Sequence, residues 1–388
     1  MHFVLIGNYP PDRQESMRRF AGIMAKGLQN RGLTVEILIP QARLAGKNSN
    51  TCQGVSKWLG YVDKWILFPF QLRRVVGKRQ REFGDRVRYH VCDHSNAPYL
   101  ALLPRDQTAI TCHDVLAIRG AMGDPAAYCR ASRMGTLLQR WILKHLRRAK
   151  RIACVSELTL RQLGETAGKN IPQAGWRVVH NAFNAEFKKM QTEEACQILE
   201  SQGIVLPRPF LLHVGSNLPR KNRRMLLQMI SQEGESWPGH ICFAGQPMDD
   251  PLADEGRKLG LLARIHSVPK PDHKTLCALY SLAHALVFPS FSEGFGWPII
   301  EAQACGTPVI ASNLEPLPEV SGGAALHANP HDAKSFAAAL FKLNEGTVRA
   351  GLITQGLKNA KRFDLATMVD SYLALHGCEA SSTAPNPP

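Results

Sequence analysis

Residues 288–312 read FPSFSEGFGWPIIEAQACGTPVIAS. The apolar run Ala285-Leu286-Val287-Phe288 that leads into them is read as a buried parallel strand. A loop follows from Pro289 to Trp297, with glycines at 294 and 296. Pro298 suits the first position of a helix, where its missing N–H costs nothing. Gly306 is the stop signal, and Val309-Ile310-Ala311 is the next strand. The stretch is therefore a complete βαβ unit. Glu293 and Glu301 bracket its loop-to-helix junction. Such a junction presents backbone N–H groups and the positive end of a helix dipole, which suits an anionic or hydroxyl-rich ligand. It lies at the carboxyl end of the sheet, where open α/β folds bind ligands.

The rest of the chain repeats this grammar. FVLIG (3–7), VEILIP (35–40), VRYHVCDH (87–94), TAITCHD (108–114), RIACVS (151–156) and WRVVHN (176–181) are strand-then-loop units. A helix is expected from Gln14 to Asn30. In the second half PFLLHVG (209–215), HICFAG (240–245), ARIHSV (263–268), HALVFPS (284–290) and TPVIAS (307–312) alternate with helical stretches. Two αβ series without a long antiparallel section predict two Rossmann-like domains, 1–190 and 200–360. A linker is expected near 184–207. RFDLATMVDSYLALH (362–376) reads as a last amphipathic helix, and residues 379–388 as a disordered tail rich in Pro and Ser.

EGFGWPIIEAQACGTPVIAS resembles the Glu-x7-Glu signature of the retaining glycosyltransferases of family 4. The resemblance covers most of the chain and is strongest from 209 to 330. It implies the GT-B fold, α/β with two Rossmann-like domains facing across a cleft, and a last helix, 362–376, that crosses back to the first domain. It implies transfer of a hexose, mannose or glucose favoured, from a nucleotide diphosphate sugar to a hydroxyl of a glycan or lipid-linked acceptor. HVGSNLPRKN (213–222) matches the family's glycine-x(n)-Arg-Lys motif, so Gly215, Arg220 and Lys221 are expected at the donor diphosphate. Ser216 departs from the arginine that many members carry after this glycine. Glu301 is expected at the ribose. Glu293, with the N–H groups near Phe295 and Gly296, is expected at the sugar hydroxyls. TCHDVLAIR (111–119) places His113 where the family has a histidine at the donor sugar, with Asp114 beside it as a further candidate.

His94 in VCDHSNAPY (91–99) is another candidate, either on the acceptor side or in a structural hydrogen bond. The first loop, NYPPDRQESMRRF (8–20), lacks the glycine pair of many members, leaving the helix N-terminus near Ser16 to face phosphate. Asn181 is read as structural. Paired cations can hold a departing diphosphate without a metal, and the sequence has no Asp-x-Asp motif and no zinc spacing, so neither metal nor cofactor is expected.

Composition agrees with this. The 388 residues are 44% hydrophobic and 20% charged, a globular balance. No run reaches the roughly 18 apolar residues that would span a bilayer. MHFVLIGNYPPD lacks the basic start and long apolar core of a secretory signal. Ten cysteines without a C-x-x-C pair suggest free thiols in a reducing cytosol. The net charge of +15 is concentrated in one half: residues 1–190 hold 31 Lys+Arg against 13 Asp+Glu, and the remainder is slightly acidic. The stretches 58–88 and 140–151 mix aromatic and apolar residues with Lys and Arg. They fit either contact with an anionic membrane at the inner face of the cytoplasmic membrane, or amphipathic helices with solvated basic faces. A nucleic-acid-binding protein would account for the charge but not for the Glu-x7-Glu unit, so nucleic acid is not an expected partner. A sugar-nucleotide epimerase of the same fold is the alternative enzyme.

Overall fold

The computed structural model describes residues 1–46, 51, 54–168, 171, 173–233 and 237–378, so the expected tail at 379–388 lies outside the described residues. The chain divides into two compact units. One comprises Met1–Asp124, Cys129–Asn184 and the described chain from Leu365 onward; the other comprises Pro125–Tyr128 and Ala185–Asp364.

The first unit is built on six parallel strands: β1 His2–Ile6, β2 Thr34–Leu38, β3 Val87–Val91, β4 Thr108–Cys112, β5 Ile152–Cys154 and β6 Trp176–Val178. Their order is β2-β1-β3-β4-β5-β6. Alternation along β1 shows why these runs are continuously apolar. Val4 and Ile6 enter one buried cluster, while Phe3 and Leu5 enter another. Side chains point to opposite faces, and both faces are covered.

The second unit has β7 Phe210–Gly215, β8 His240–Gly245, β9 Ile265–Pro269, β10 Ala285–Phe288, β11 Val309–Ser312 and β12 Leu326–Ala328, again all parallel. Their order is β12-β11-β10-β7-β8-β9. Strand β12 escapes a reading of the sequence because three residues amid Gly and Ala make no apolar run. The stretch read as a linker carries the helix Thr192–Ser201, which packs against the helix His273–Leu282.

In each unit the order of strands reverses beside the first strand, between β1 and β3 and between β7 and β10. Loops leaving such a pair diverge and open a crevice at the carboxyl ends. These two places position the candidate residues.

The segment 58–88 forms helices, Gly54–Val62 and Phe68–Phe83, joined by a π-helical turn over Asp63–Leu67. Pro69 has no N–H to give to the carbonyl four residues back, which accounts for the irregular turn. Asp63, buried there, accepts from the Tyr9 hydroxyl at 2.7 Å and from the Leu44 N–H at 3.1 Å.

The last helix, Leu365–Leu375, belongs to the first unit. Met368 Sδ accepts the Ala182 N–H at 3.2 Å, Tyr372 Oη lies 2.9 Å from Thr111 Oγ1, and Arg31 pairs with Asp370 at 2.6 Å. It packs over Gly27 on the helix Glu15–Asn30, where an added Cβ would lie 2.3 Å from Val369 Cγ2. Gly27→Ala should therefore lose about 1–3 kcal/mol in chemical denaturation through overpacking. Gly22→Ala on the same helix meets nothing within 4 Å. It should be neutral or gain up to about 1 kcal/mol from helix propensity. Equal losses in the two variants would contradict this account of the helix contact.

Candidate active site

The second unit's crevice is lined by the loop after β7 and the loop after β10. A short 3₁₀ turn, Pro219–Lys221, carries the two cations, and Asn222 ends it in the left-handed conformation at φ 50°. The Asn222 amide donates to the carbonyls of Pro289 and Pro330 at 3.2 and 2.9 Å, tying the turn to the β10 loop. The Phe291 N–H donates to the Arg220 carbonyl at 2.8 Å.

Arg220 and Lys221 converge on Glu293. Arg220 Nη1 donates to Glu293 Oε2 at 2.8 Å and to the Ser292 carbonyl at 2.8 Å; Lys221 Nζ donates to Glu293 Oε1 at 2.6 Å. The carboxylate is buried. Burial alone would push its pKa up, but Lys221 and then Arg220 outweigh that and hold it down at about 2. Burial also draws the Lys221 ammonium below its ordinary value, against the attraction of Glu293. At neutral pH the Glu293 carboxyl is therefore ionised between two basic side chains. The sequence placed two cations here for a diphosphate; one of their charges is balanced by Glu293.

Glu301 sits one turn into the helix Trp297–Ala304 and is buried, its Oε2 accepting from the Tyr280 hydroxyl at 2.8 Å. Gly296 caps that helix at φ 109°, and a Cβ there would lie 2.9 Å from Leu317 Cδ2, so glycine is required twice over. The Phe295 side chain is buried, its ring 5.9 Å from that of Trp297 and 5.7 Å from that of Phe363 between centroids. Gly215 ends β7, and its carbonyl accepts the Gln246 N–H at 3.1 Å.

In the first unit the structure places His113 just beyond β4, buried. Its Nε2–H donates to the Cys92 carbonyl at 2.9 Å, while Nδ1 has no partner. Burial lowers its pKa, against Asp93. A neutral ring held this way offers a lone pair at Nδ1 and can accept from a hydroxyl. Asp114 Oδ1 accepts the Leu116 N–H at 3.0 Å, two residues on, in a local turn that leads into the next helix. His94 starts the 3₁₀ segment His94–Leu102, with Nδ1 3.2 Å from Asp93 Oδ1 but not aligned for a hydrogen bond. Ser16 is exposed in the first turn of the helix Glu15–Asn30, whose start no side chain caps.

Three groups were not anticipated. Asp93 sits at the β1/β3 reversal and accepts from Ser95 Oγ at 2.8 Å and Asn8 Nδ2 at 2.5 Å. His213, buried two residues before Gly215, has Nδ1 3.2 Å from the Val287 carbonyl and is kept neutral, its pKa lowered to about 3 by burial and then by Lys221. Arg223 is buried with its guanidinium over the Phe243 ring and with Nε and Nη2 unpartnered. The signal for His213 was its position at the end of the first strand of its unit.

The lowered pKa of Glu293 fixes the sign of a stability change. The folded value of about 2 lies below the ordinary 4.5, so the ion cluster contributes fully above pH 4.5 and fades as pH falls toward 2. The stability gap between the wild type and Glu293→Gln, measured by urea denaturation, should be constant above pH 4.5 and narrow below it. A gap that does not change between pH 7 and 3 would contradict a charged Glu293.

Comparison with known proteins places this geometry in a family. Sequence profiles match for the families described as "Glycosyltransferase Family 4", over residues 17–187, and "Glycosyl transferases group 1", over residues 197–356. O-antigen chain mannosyltransferase B of Escherichia coli is 36% identical over 162 residues, covering 40% of this chain and 42% of that protein. O-antigen chain mannosyltransferase RfbU of Salmonella typhimurium is 28% identical over 285 residues, covering 72% of this chain and 70% of that protein. The match to the first relative thus spans under half of its length. Among solved structures, Anabaena HepE in complex with UDP-glucose superposes with a TM-score of 0.67 at 17% identity, over 96% of this chain and 98% of that one. The fold is that of the GT-B glycosyltransferases. Two profiles that together take in most of the chain, on a pair of parallel six-stranded sheets, make this protein a member of glycosyltransferase family 4.

Proposed function

We propose that the protein is a retaining hexosyltransferase that moves mannose or glucose from a nucleotide diphosphate sugar to a hydroxyl of a glycan or lipid-linked acceptor. The observation that carries this reading is the Arg220–Lys221–Glu293 cluster at the β7/β10 reversal, with Glu301 on the adjoining helix. A diphosphate entering the crevice meets Arg220 and Lys221 already held in place as negative charge develops on the leaving group. Glu301, oriented by Tyr280, accepts from ribose hydroxyls. Glu293 and the backbone at Phe295 and Gly296 hold the sugar. His113 of the first unit is a proposed catalytic residue, its Nδ1 the ring atom without a partner. Mannose is favoured by the O-antigen mannosyltransferase relatives. Arg220 and Lys221 do the electrostatic work of a cation, so transfer is proposed to be metal-independent; no cluster of three or more His, Cys, Asp or Glu suited to a metal occurs among the described residues.

The basic half is proposed to dock on anionic lipid at the cytoplasmic face of a membrane. No helix among the described residues is long and apolar enough to cross one. Trp65 contacts Trp141 at 5.0 Å between ring centroids, so the segments 58–88 and 133–146 lie side by side. There Trp58, Ile66, Phe70, Met134, Leu137 and Trp141 are exposed. Arg73, Arg74, Lys78, Arg140 and Lys144 are exposed on the same helices. Apolar side chains ringed by cations suit an anionic bilayer surface. Arg79 does not belong to this surface: it pairs with Glu36 at 2.6 Å and Glu82 at 2.7 Å.

Glu293→Gln should lower kcat about 100-fold with little change in donor KM, as expected for a contact that matters most in the transition state. The isosteric change is chosen because it removes the charge while keeping the volume and an acceptor oxygen for the Lys221 and Arg220 N–H groups. Lys221→Ala and Glu301→Ala should instead raise donor KM. Full activity for Glu293→Gln would remove it from the site, and activity abolished by chelator and restored by magnesium or manganese would refute metal independence.

Arg73, Arg74 and Lys78 replaced together by glutamine should weaken sedimentation with anionic vesicles, each exposed cation near the surface being worth about 1 kcal/mol. Nucleotide affinity should not change. Equal binding to neutral and anionic vesicles would refute the lipid surface.

A further inference from the structure

At the amino end of β4 the first unit holds a pocket that sugar transfer does not use. Its volume is about 370 Å³, and Arg105, His145, Arg148 and Lys150 line it together with Leu100 and Leu103. Small-molecule sites commonly span about 300–1,000 Å³. Thr108, the first residue of β4, is in the pocket wall, whereas His113 stands beyond the other end of the same strand. The pocket is thus separate from the candidate active-site residues.

Three chain segments bring the cations together. The 3₁₀ segment His94–Leu102 supplies Leu100, the turn Arg105–Gln107 supplies Arg105, and the chain leaving the helix Arg133–Leu146 supplies Arg148 and Lys150. Lys150 pairs with Asp106, which balances its charge and ties the turn to the helix exit. Arg105 and Arg148 are exposed and make no salt bridge or hydrogen bond among the described residues. The Thr108 hydroxyl is already used, donating to the Pro104 carbonyl at 2.7 Å. Two uncommitted guanidinium groups in one pocket fit an anion with several acceptor oxygens, and their planar forks suit phosphate.

The pocket also continues the apolar face of the helix Arg133–Leu146. Leu137, Trp141 and His145 follow one another at four-residue spacing, which sets them in one row. Leu137 and Trp141 are exposed, and the Trp141 ring lies 5.8 Å from that of His145 between centroids. A row of exposed apolar side chains therefore runs into a pocket whose uncommitted charges are positive. A water-soluble phosphate ester would use only the arginines. A phospholipid uses both features, with its phosphate at the arginines and its acyl chains beside Leu137 and Trp141. A choline headgroup would carry its own cation toward Arg105 and Arg148, so an anionic headgroup is favoured.

We propose that this pocket binds the phosphate of one anionic glycerophospholipid. The proposal rests on the reading of the neighbouring helices as a lipid-facing surface, and adds to it a saturable site with residues of its own.

The test titrates the full-length protein by calorimetry with short-chain phosphatidylglycerol, kept below its micelle concentration. Saturable one-to-one binding is expected, with weaker binding of short-chain phosphatidylcholine. Arg105→Gln combined with Arg148→Gln should weaken phosphatidylglycerol binding about tenfold or more, the scale of lost hydrogen bonds to a charged group. Lys26→Gln combined with Arg177→Gln removes the same charge from exposed positions of the first unit outside the pocket, and should leave binding unchanged. Equal losses in the two double variants would overturn the pocket in favour of diffuse attraction. Absence of saturable binding would overturn it too, leaving Arg148 to serve the carboxyl end of its helix. Glycerophosphoglycerol, the headgroup without chains, should bind more weakly than the lipid; binding as tight as the lipid's would overturn a lipid occupant. Sedimentation with vesicles separates this site from the surface on which it rests. No saturable binding, with sedimentation still dependent on anionic lipid, strikes the pocket alone. Saturable binding without sedimentation strikes the surface and upholds the pocket.

Discussion

The buried carboxylate of Glu293 between Arg220 and Lys221 is the interaction on which the second unit's crevice depends. It fastens the loop after β7 to the loop after β10 across the point where strand order reverses. Burying a carboxylate is costly, and two cations with aligned donors offset that cost. The Asn222 amide adds a second tie between the same loops. A crevice held this way is preorganised: its two loops are tied together before any ligand arrives. The neighbouring His213 is neutral by the same logic, since burial and Lys221 both disfavour its protonation.

The parallel sheets explain why such a site can exist in this chain. With both faces covered by helices, the carboxyl ends of the strands are where loops of varied chemistry can be mounted without disturbing the core. In the first unit the same rule gathers Asn8 and Asp93 at the β1/β3 reversal, with His113 beyond the adjacent β4. Glu301 on the helix Trp297–Ala304 accepts from Tyr280 on the neighbouring helix His273–Leu282.

The sequence by itself determined the elements and their kind. Eleven strands were legible as short, mainly apolar runs, most clearly the central ones such as β1, β4, β10 and β11, which are buried along their whole length, and the Pro298 and Gly306 punctuation bounded the central helix by local backbone chemistry. Arg220, Lys221, Glu293 and Glu301 were legible as candidates because loop and helix starts at strand ends are set by local sequence. β12 was not, being too short to show a pattern.

Tertiary structure alone decided how the charges are shared. That Glu293 neutralises a cation 72 residues away and that Arg79 belongs to Glu36 and not to the exposed basic face are contacts between distant parts of the chain. The Asp114 contact with the Leu116 N–H and the unpartnered Nδ1 of His113 depend likewise on where neighbouring backbone groups fall. Periodicity and turn chemistry report on a residue's immediate neighbours. Partner choice is settled by the packing of strands and helices, which no local pattern records.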